Sequence, residues 1–366
     1  MAADTDIRPL LTRWTTWVPL LSLPVLVAGW GRSIPVLVAI LLAVLLAGAV
    51  LAAVHHAEVV AHKVGEPFGS LILAVAVTII EVGLILTLTA SGGASAQTLG
   101  RDTVFAAVII TCNGIVGVSI LAGSRRGPVV FNAEGAGGAL ATVVILTGVC
   151  LVLPTFTTST PGPQFSMQQL AFAAVASLML YVLFVLTQTG RHRDFFLPVD
   201  ESGAPLETDH AEPPTVRQTW TSVALLLVAL VGGVGLAKIE SKSLESLVAA
   251  AGLPQAVVGV VIAVVVLAPE TLAAVRAARR GRMQISLNLA YGSAMASVGL
   301  TVPVLAIATL WVDTPLLLGL DPVHILLFAL TVIAGVLTVV PGRATRLQGG
   351  LHLALLAAYL FLSANP

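Results

Sequence analysis

Two glutamates stand where a carboxylate is expensive. Glu81 lies in LILAVAVTIIEVGLILTLT (71–89) and Glu270 in VVGVVIAVVVLAPETLAAV (257–275), and of 18 acidic residues these two fall well inside long apolar runs. A carboxylate at the centre of a bilayer costs about 2.5–3.5 kcal/mol or more unless it is protonated, paired or hydrated. No Lys, Arg or His is expected in a span interior as their partner. Two carboxylates facing one cavity make a hard-oxygen site with a charge of −2 when ionised. That charge matches Ca2+, which takes six to eight oxygen ligands at roughly 2.3–2.6 Å. Desolvation and mutual repulsion raise the affinity of such a pair for protons, so the two titrate as a unit. The site is then cation-loaded or protonated, and an empty, doubly charged state is costly. That penalty alone couples the two occupants.

Further oxygens stand nearby in sequence. Thr78 is one turn before Glu81 and shares its face, although a mid-span threonine otherwise bonds its own helix. Asn113 and Asn288 are rare polar residues of the spans that follow, where helix–helix hydrogen bonding is the competing role. Ser286, Ser293 and Ser297 form one stripe, which reads equally as a packing seam or an ion path. Asn288 points about 160° away from that stripe at ~100° per residue. Asn288 and Ser293 therefore reach one cavity only where this span is broken. Pro269, directly before Glu270, and Gly114, Gly117, Gly292 and Gly299 near the asparagines are where breaks are expected, since unwound backbone is tolerated in a membrane where it lines a cavity.

The elements that must hold these residues are membrane helices. The 366-residue chain is 57% hydrophobic with 33 glycines and only 10% charged residues, far from the roughly 25% charge of a soluble domain. Runs of the ~20 residues needed to cross ~30 Å of hydrocarbon occur at 16–31, 33–54, 68–90, 103–123, 136–156, 167–189, 219–237, 255–274, 285–311, 322–341 and 347–363, eleven in all. Arg8 and Arg13 precede the first run as in a signal peptide, but no small-x-small cleavage site follows, so it is read as a span. With the N-terminus inside, fourteen of the 18 Lys and Arg face the cytoplasm, and Arg32, Arg101, Lys238 and Lys242 do not. By the positive-inside rule the protein sits in the plasma membrane with its N-terminus cytoplasmic and its C-terminus outside.

Balanced charge, 18 basic against 18 acidic residues, argues against nucleic acid as a partner and leaves the lipid bilayer and transported cations. Cys112 and Cys150 each sit in an apolar run without a C-x-x-C, so neither a disulfide framework nor a zinc site is expected. The absence of H-E-x-x-H, G-x-S-x-G or a phosphate loop argues against an enzyme. A passive channel needs a continuous polar pore that these spans do not offer.

Aligned on their glutamates, AVAVTIIE (74–81) and AVVVLAPE (263–270) match at four of eight positions, with Gly69 and Gly259 about three turns upstream. Setting the first span aside leaves two five-helix halves of inverted topology, a common plan of secondary transporters with the site where the halves meet. The expected organisation is an N-terminal segment and helix over 1–31, a first repeat over 32–190, an acidic cytoplasmic linker over 191–218 and a second repeat over 219–366. The linker reads as solvated, or as an acidic patch that gathers cations. His55, His56, Glu58, His62 and Glu66 cluster at the cytoplasmic end of the second span and in the loop after it. They read as a solvated helix end, or as a pH sensor or ion-capture site.

Three blocks carry a family resemblance: HHAEVVAHKVGEPFGSLILAVAVTIIEV (55–82), RDTVFAAVIITCNGIVG (101–117) and LAPETLAAVRAARRGRMQISLNLAYGSAMASVGLTVP (267–303). Over nearly its whole length the chain resembles the bacterial ChaA-type antiporters of the calcium/cation antiporter superfamily. The resemblance implies Ca2+/H+ exchange, with Na+/H+ or K+/H+ exchange as the alternative, and ten core helices in two inverted repeats. It places Glu81 and Glu270 on the family's paired glutamates, and Asn113 and the Asn288–Ser293 region on the polar positions of the following helices. Exchangers of the vacuolar type carry Gly-Asn-Ala-x-Glu around both glutamates. Here Thr78 and Leu267 stand at the asparagine positions, and Ala296 stands where a glutamine is common. Fewer oxygen ligands imply weaker Ca2+ binding or a shift towards monovalent ions. No resident cofactor is expected, and Ca2+ and H+ enter as transported ions.

Overall fold

The computed structural model describes residues 13–32, 34–65, 68–89, 96–125, 127–190, 192–199, 214–311 and 315–366. Eleven helical rods run through them. The first three are α1 (Trp14–Gly29), α2 (Val36–Val64) and α3 (Phe68–Thr89). Next, α4 consists of Ala96–Ile109, a π-helical turn Ile110–Ile115 and Val116–Gly123, while α5 runs over Ala133–Thr147 into a π-helical turn Gly148–Val152 and a 3-10 turn Leu153–Thr155. The rest are α6 (Met167–Thr189), α7 (Val216–Ala250), α8 (Ala256–Arg279), α9 (Met283–Ala308), α10 (Pro322–Val339) and α11 (Arg346–Ala364). Two short strands, β1 (Val129–Val130) and β2 (Arg343–Ala344), pair antiparallel. Nine stretches among the described residues are long and apolar enough to cross a membrane, and α1 and Val75–Thr87 of α3 are shorter apolar helices. The chain is an all-α multi-pass membrane protein of about eleven spans, an N-terminal helix ahead of two inverted five-helix repeats.

Two helices outrun the spans read from hydropathy. The second reaches Val64 rather than 54, and the seventh reaches Ala250 rather than 237. Hydropathy marks the length that lipid demands, while Ala-, Glu-, Lys- and Leu-rich sequence continues a helix into water. The His55–His62 cluster therefore belongs to the last turns of α2 and not to a loop. The expected breaks in α8 and α9 are absent, as both run without interruption across Pro269 and Gly292. The irregular turns fall in α4, where Ile110–Ile115 contains Gly114, one of the expected positions, and in α5, where none was expected.

The helices gather into two compact units. One comprises residues 1–87 and 211–247, the other 88–210 and 248–366.

In the first unit glycines set the spacing. A Cβ on Gly232 or Gly235 of α7 would collide with Ser22 or Leu26 of α1, and one on Gly83 of α3 would meet Val234 Cγ2 at 2.5 Å. With no hydrophobic drive between helices in lipid, such small-residue seams supply the packing.

In the second unit α4 is the central rod, with 89% of its apolar window buried against 22% for α11. Glycines again admit its neighbours: a Cβ on Gly259 of α8 would lie 3.0 Å from Thr103 N, and one on Gly123 of α4 3.1 Å from the Ala278 carbonyl. These two contacts fix α4 and α8 as parallel neighbours. On the other side Gly117 of α4 and Gly349 of α11 each stand 3.0 Å from the other's carbonyl by the same measure. Helix α9 turns back from α8 through Gly281, whose φ of +74° is costly for other residues.

Connections of this unit fall into two groups that match the parity of eleven crossings. At one end Leu317 N donates to Gln97 O, Gly319 N to Pro163 O and Leu320 N to Leu151 O. At the other, Phe131 N donates to Gly342 O, Asn132 N to Gln284 Oε1 and Arg346 Nε to Ser124 O. The start of α4 and the loops after α5 and α9 share the first end, and the loops after α4, α8 and α10 share the second.

Candidate functional site

Glu81 lies thirteen residues into α3 and Glu270 fourteen residues into α8, so each stands about 20 Å along its helix. Both are buried, at 2% and 7% exposure. Glu81 belongs to the first unit and Glu270 to the second.

Thr78 is buried one turn before Glu81, and among the described residues its hydroxyl makes no hydrogen bond. Other mid-helix threonines do: Thr111, Thr271 and Thr331 bond the carbonyls of Ala107, Leu267 and Leu327 at 2.7–2.8 Å. The usual intrahelical role of a buried threonine is thus not the one Thr78 plays.

The level of Glu270 in the second unit is well defined. Counting from the Gly259–Thr103 contact, Glu270 is eleven residues on and Asn113 ten. From the Gly123–Ala278 contact they are eight and ten residues back, so the two share a level to within about 3 Å. Across the α8–α9 turn, Tyr291 lies eight residues after Met283, while Glu270 lies nine before Arg279. Tyr291 is fully buried, and its hydroxyl makes no hydrogen bond among the described residues. The π-helical turn of α4, Asn113, Tyr291 and Glu270 therefore form one layer.

Within that layer each end of the Asn113 amide has a protein partner. Thr331 Oγ1 gives its one proton to Leu327 O, so it accepts from Asn113 Nδ2 at 2.9 Å. That fixes Oδ1 towards His352, whose Nδ1 donates to it at 3.0 Å, and Thr338 Oγ1 meets His352 Nε2 at 3.0 Å. Asn113 and His352 are 0% and 1% exposed. The sequence reading, which found no histidine in a span interior, missed His352. The signal was present, since QGGLHLALL places one imidazole in an otherwise apolar helix.

Asn288 is elsewhere. It is five residues into α9, its Nδ2 donates to Phe196 O at 2.7 Å, and its Oδ1 accepts from Gln284 Nε2 at 3.0 Å. Ser293 is half-buried, and the uninterrupted α9 keeps it on a different face from Asn288. The two asparagines do not occupy matched depths.

The α2 cluster is only partly assembled. His56 is buried between Thr15 O at 2.9 Å and Ser222 Oγ at 3.3 Å, which makes it a joint within the first unit. His55 stands edge-on to it at 5.4 Å, Glu58 and His62 are exposed, and Glu66 lies outside the described residues. The start of the linker is partly docked: His192, Arg193 and Asp194 are exposed, but Arg193–Phe196 forms a 3-10 turn and Phe196 is buried against Phe184. Residues 200–213 of the linker lie outside the described residues.

Comparison with known proteins agrees with this arrangement of helices. The chain is 42% identical over 357 residues to the "Putative ionic transporter y4hA" of Sinorhizobium fredii, covering 96% of both chains. It is 34% identical to the "Sodium-potassium/proton antiporter ChaA" of Escherichia coli, over 93% of both. Its fold is similar to that of a crystal structure described as a selenium-substituted Ca2+/H+ antiporter, YfkE, with a TM-score of 0.68, 17% identity and coverage of 96% and 98%. The model of the sodium/calcium exchanger proteins matches residues 34–190 and 221–365, and the chain belongs to that family of membrane cation exchangers.

Proposed function

We propose that the protein exchanges Ca2+ for H+ across the plasma membrane by alternating access, with Glu81 and Glu270 binding cation and protons by turns. The observation that carries this is that two carboxylates, Glu81 and Glu270, are each buried about 20 Å along an apolar helix of their own. Burial makes a doubly ionised, empty pair costly, so either two protons or a divalent cation restores neutrality. Thr78, with its free hydroxyl, is the further side-chain ligand beside Glu81. In this reading Asn113 belongs to the layer around Glu270, Asn288 braces the linker, and Ser293 lies on the face towards the cavity. The N-terminus is cytoplasmic, and the repeats run over 32–190 and 219–366.

Exchange of Na+ or K+ at the same carboxylates is the second reading. Ca2+ wants six to eight oxygens, but Leu267 replaces one amide, and the amides of Asn113 and Asn288 are spent on protein partners. The relative named a sodium-potassium/proton antiporter points the same way.

The test is proton flux in proteoliposomes that hold a pH gradient and a pH-sensitive dye, with Ca2+, Na+ and K+ added separately. Dye recovery on adding Ca2+, lost in Glu81→Gln and Glu270→Gln, is expected. Recovery with Na+ or K+ alone would keep the mechanism and replace the substrate. No proton movement with any cation, or full activity in both glutamine variants, would overturn it.

A further inference from the structure

We infer that His352 is a positioning residue for cation binding: it touches no transported ion, but it sets where the π-helical turn of α4 stands beside Glu270. This rests on the reading of Glu270 as an exchange carboxylate.

A π-helical turn widens the helix and breaks the ordinary ladder of backbone hydrogen bonds, and such turns gather at functional sites. In α4 it spans Ile110–Ile115, in the layer of Glu270. The turn needs partners from outside its own helix, and α11 supplies them through one side chain. His352 Nδ1 reaches Asn113 Oδ1 at 3.0 Å. That oxygen only accepts, so Nδ1 carries the proton and Nε2 accepts from Thr338 Oγ1. The donor chain runs one way, from Thr338 through His352 and Asn113 to Thr331 and the Leu327 carbonyl. Each polar atom on that path has a partner, and a buried network satisfied in this way specifies one geometry.

Its place explains how a side chain that binds nothing affects binding. The close approach of Gly117 and Gly349 brings α4 and α11 together just beyond the turn. Helix α9, with Tyr291 in the same layer, also packs against the turn. His352 therefore clamps the turn from α11 while α9 bears on it from the hairpin that carries Glu270. If packing were the whole purpose, a leucine would fill the space without burying two ring nitrogens that need partners.

The experiment compares half-saturating cation concentration and maximal rate in proteoliposomes for the parent, His352→Leu, His352→Gln and Glu270→Gln, using Ca2+, Na+ and K+. Loss of a residue that orients a ligand shell typically costs 10–100-fold in metal affinity. His352→Leu is expected to raise the half-saturating concentration about tenfold with the maximal rate nearly kept. His352→Gln, whose amide can donate to the same acceptors, is expected to recover most of that loss. An unchanged half-saturating concentration in His352→Leu, or a fall in rate that only tracks loss of folded protein and that glutamine does not rescue, overturns the inference. Should His352→Leu fail to fold, Thr331→Val removes the other anchor of Asn113 and is expected to shift the half-saturating concentration in the same direction. Full exchange by Glu270→Gln would instead sink the underlying site. An inactive Glu270→Gln beside an unaltered His352→Leu would sink the clamp alone.

Discussion

Gly259 of α8 packs against Thr103 of α4 so closely that a Cβ would lie 3.0 Å from the Thr103 nitrogen and 3.2 Å from its hydroxyl. The contact is eleven residues before Glu270 and fixes the register of the helix that carries it. Backbone atoms on the far side cannot yield, so Gly259→Val must push α8 away from α4. Overpacking of this kind costs about 1–3 kcal/mol. The variant is expected to melt earlier in detergent and to lose most exchange, whereas Gly292→Ala, which has open space around it, is expected to do neither. Thermal unfolding followed by tryptophan fluorescence, with flux measured on the same preparations, checks both.

Thr78→Val separates binding from stability. A buried hydroxyl without a partner costs about 1–3 kcal/mol, and an apolar group of the same shape removes that cost. The variant is therefore expected to be at least as stable as the parent while its half-saturating cation concentration rises several-fold. Thr271→Val is the control, because that hydroxyl already bonds Leu267 O at 2.7 Å. Equal affinity in parent and Thr78→Val would remove Thr78 from the ligand set.

Asn288→Ala is expected to do the reverse. It leaves the Phe196 carbonyl and the Gln284 amide without their partner, a loss of about 1–3 kcal/mol, and it leaves Glu270 untouched. A lower melting temperature with parental cation affinity is the expected outcome. A tenfold weaker affinity at unchanged stability would return Asn288 to the ion path.

The contrast between these asparagines marks what the sequence discloses. Eleven apolar runs are legible because lipid imposes length and composition, and Glu81 and Glu270 are legible because a buried carboxylate is rare. Hydropathy does not say which face of an apolar helix meets which neighbour. Asn113 and Asn288 look alike in sequence, yet one lies in a π-helical turn clamped by α10 and α11 and the other holds Phe196 near the start of α9. Gly114 marks the π-helical turn ITCNGI as a place for a break, but the same signal at Gly292 lies in an unbroken helix, so glycine alone does not say which span yields. His352 escaped for the same reason, since its partners are 239 residues away in the chain at Asn113 and 14 away at Thr338.

The loop before α10 offers a pH test away from the exchange carboxylates. Asp321 caps α10 by accepting from His324 N at 3.0 Å. Burial pushes its carboxyl upward, but the hydrogen bond from that backbone amide, with the His324 side chain and the Arg101 charge, outweighs burial and holds it below its ordinary value of 3.8. Arg101 also pairs with Asp102 at 2.8 Å and donates to the Gly319 carbonyl at 3.1 Å, so the loop is tied to α4. A carboxylate whose pKa is depressed on folding adds stability that is present above the unfolded value and disappears as pH falls through the folded one. Asp321→Asn keeps a capping oxygen and removes the charge. Its melting temperature is expected to lie below that of the parent near neutral pH, with the gap closing only below about pH 4. A gap that persists unchanged to pH 3 would mean that the substitution acts through the cap and not through the charge.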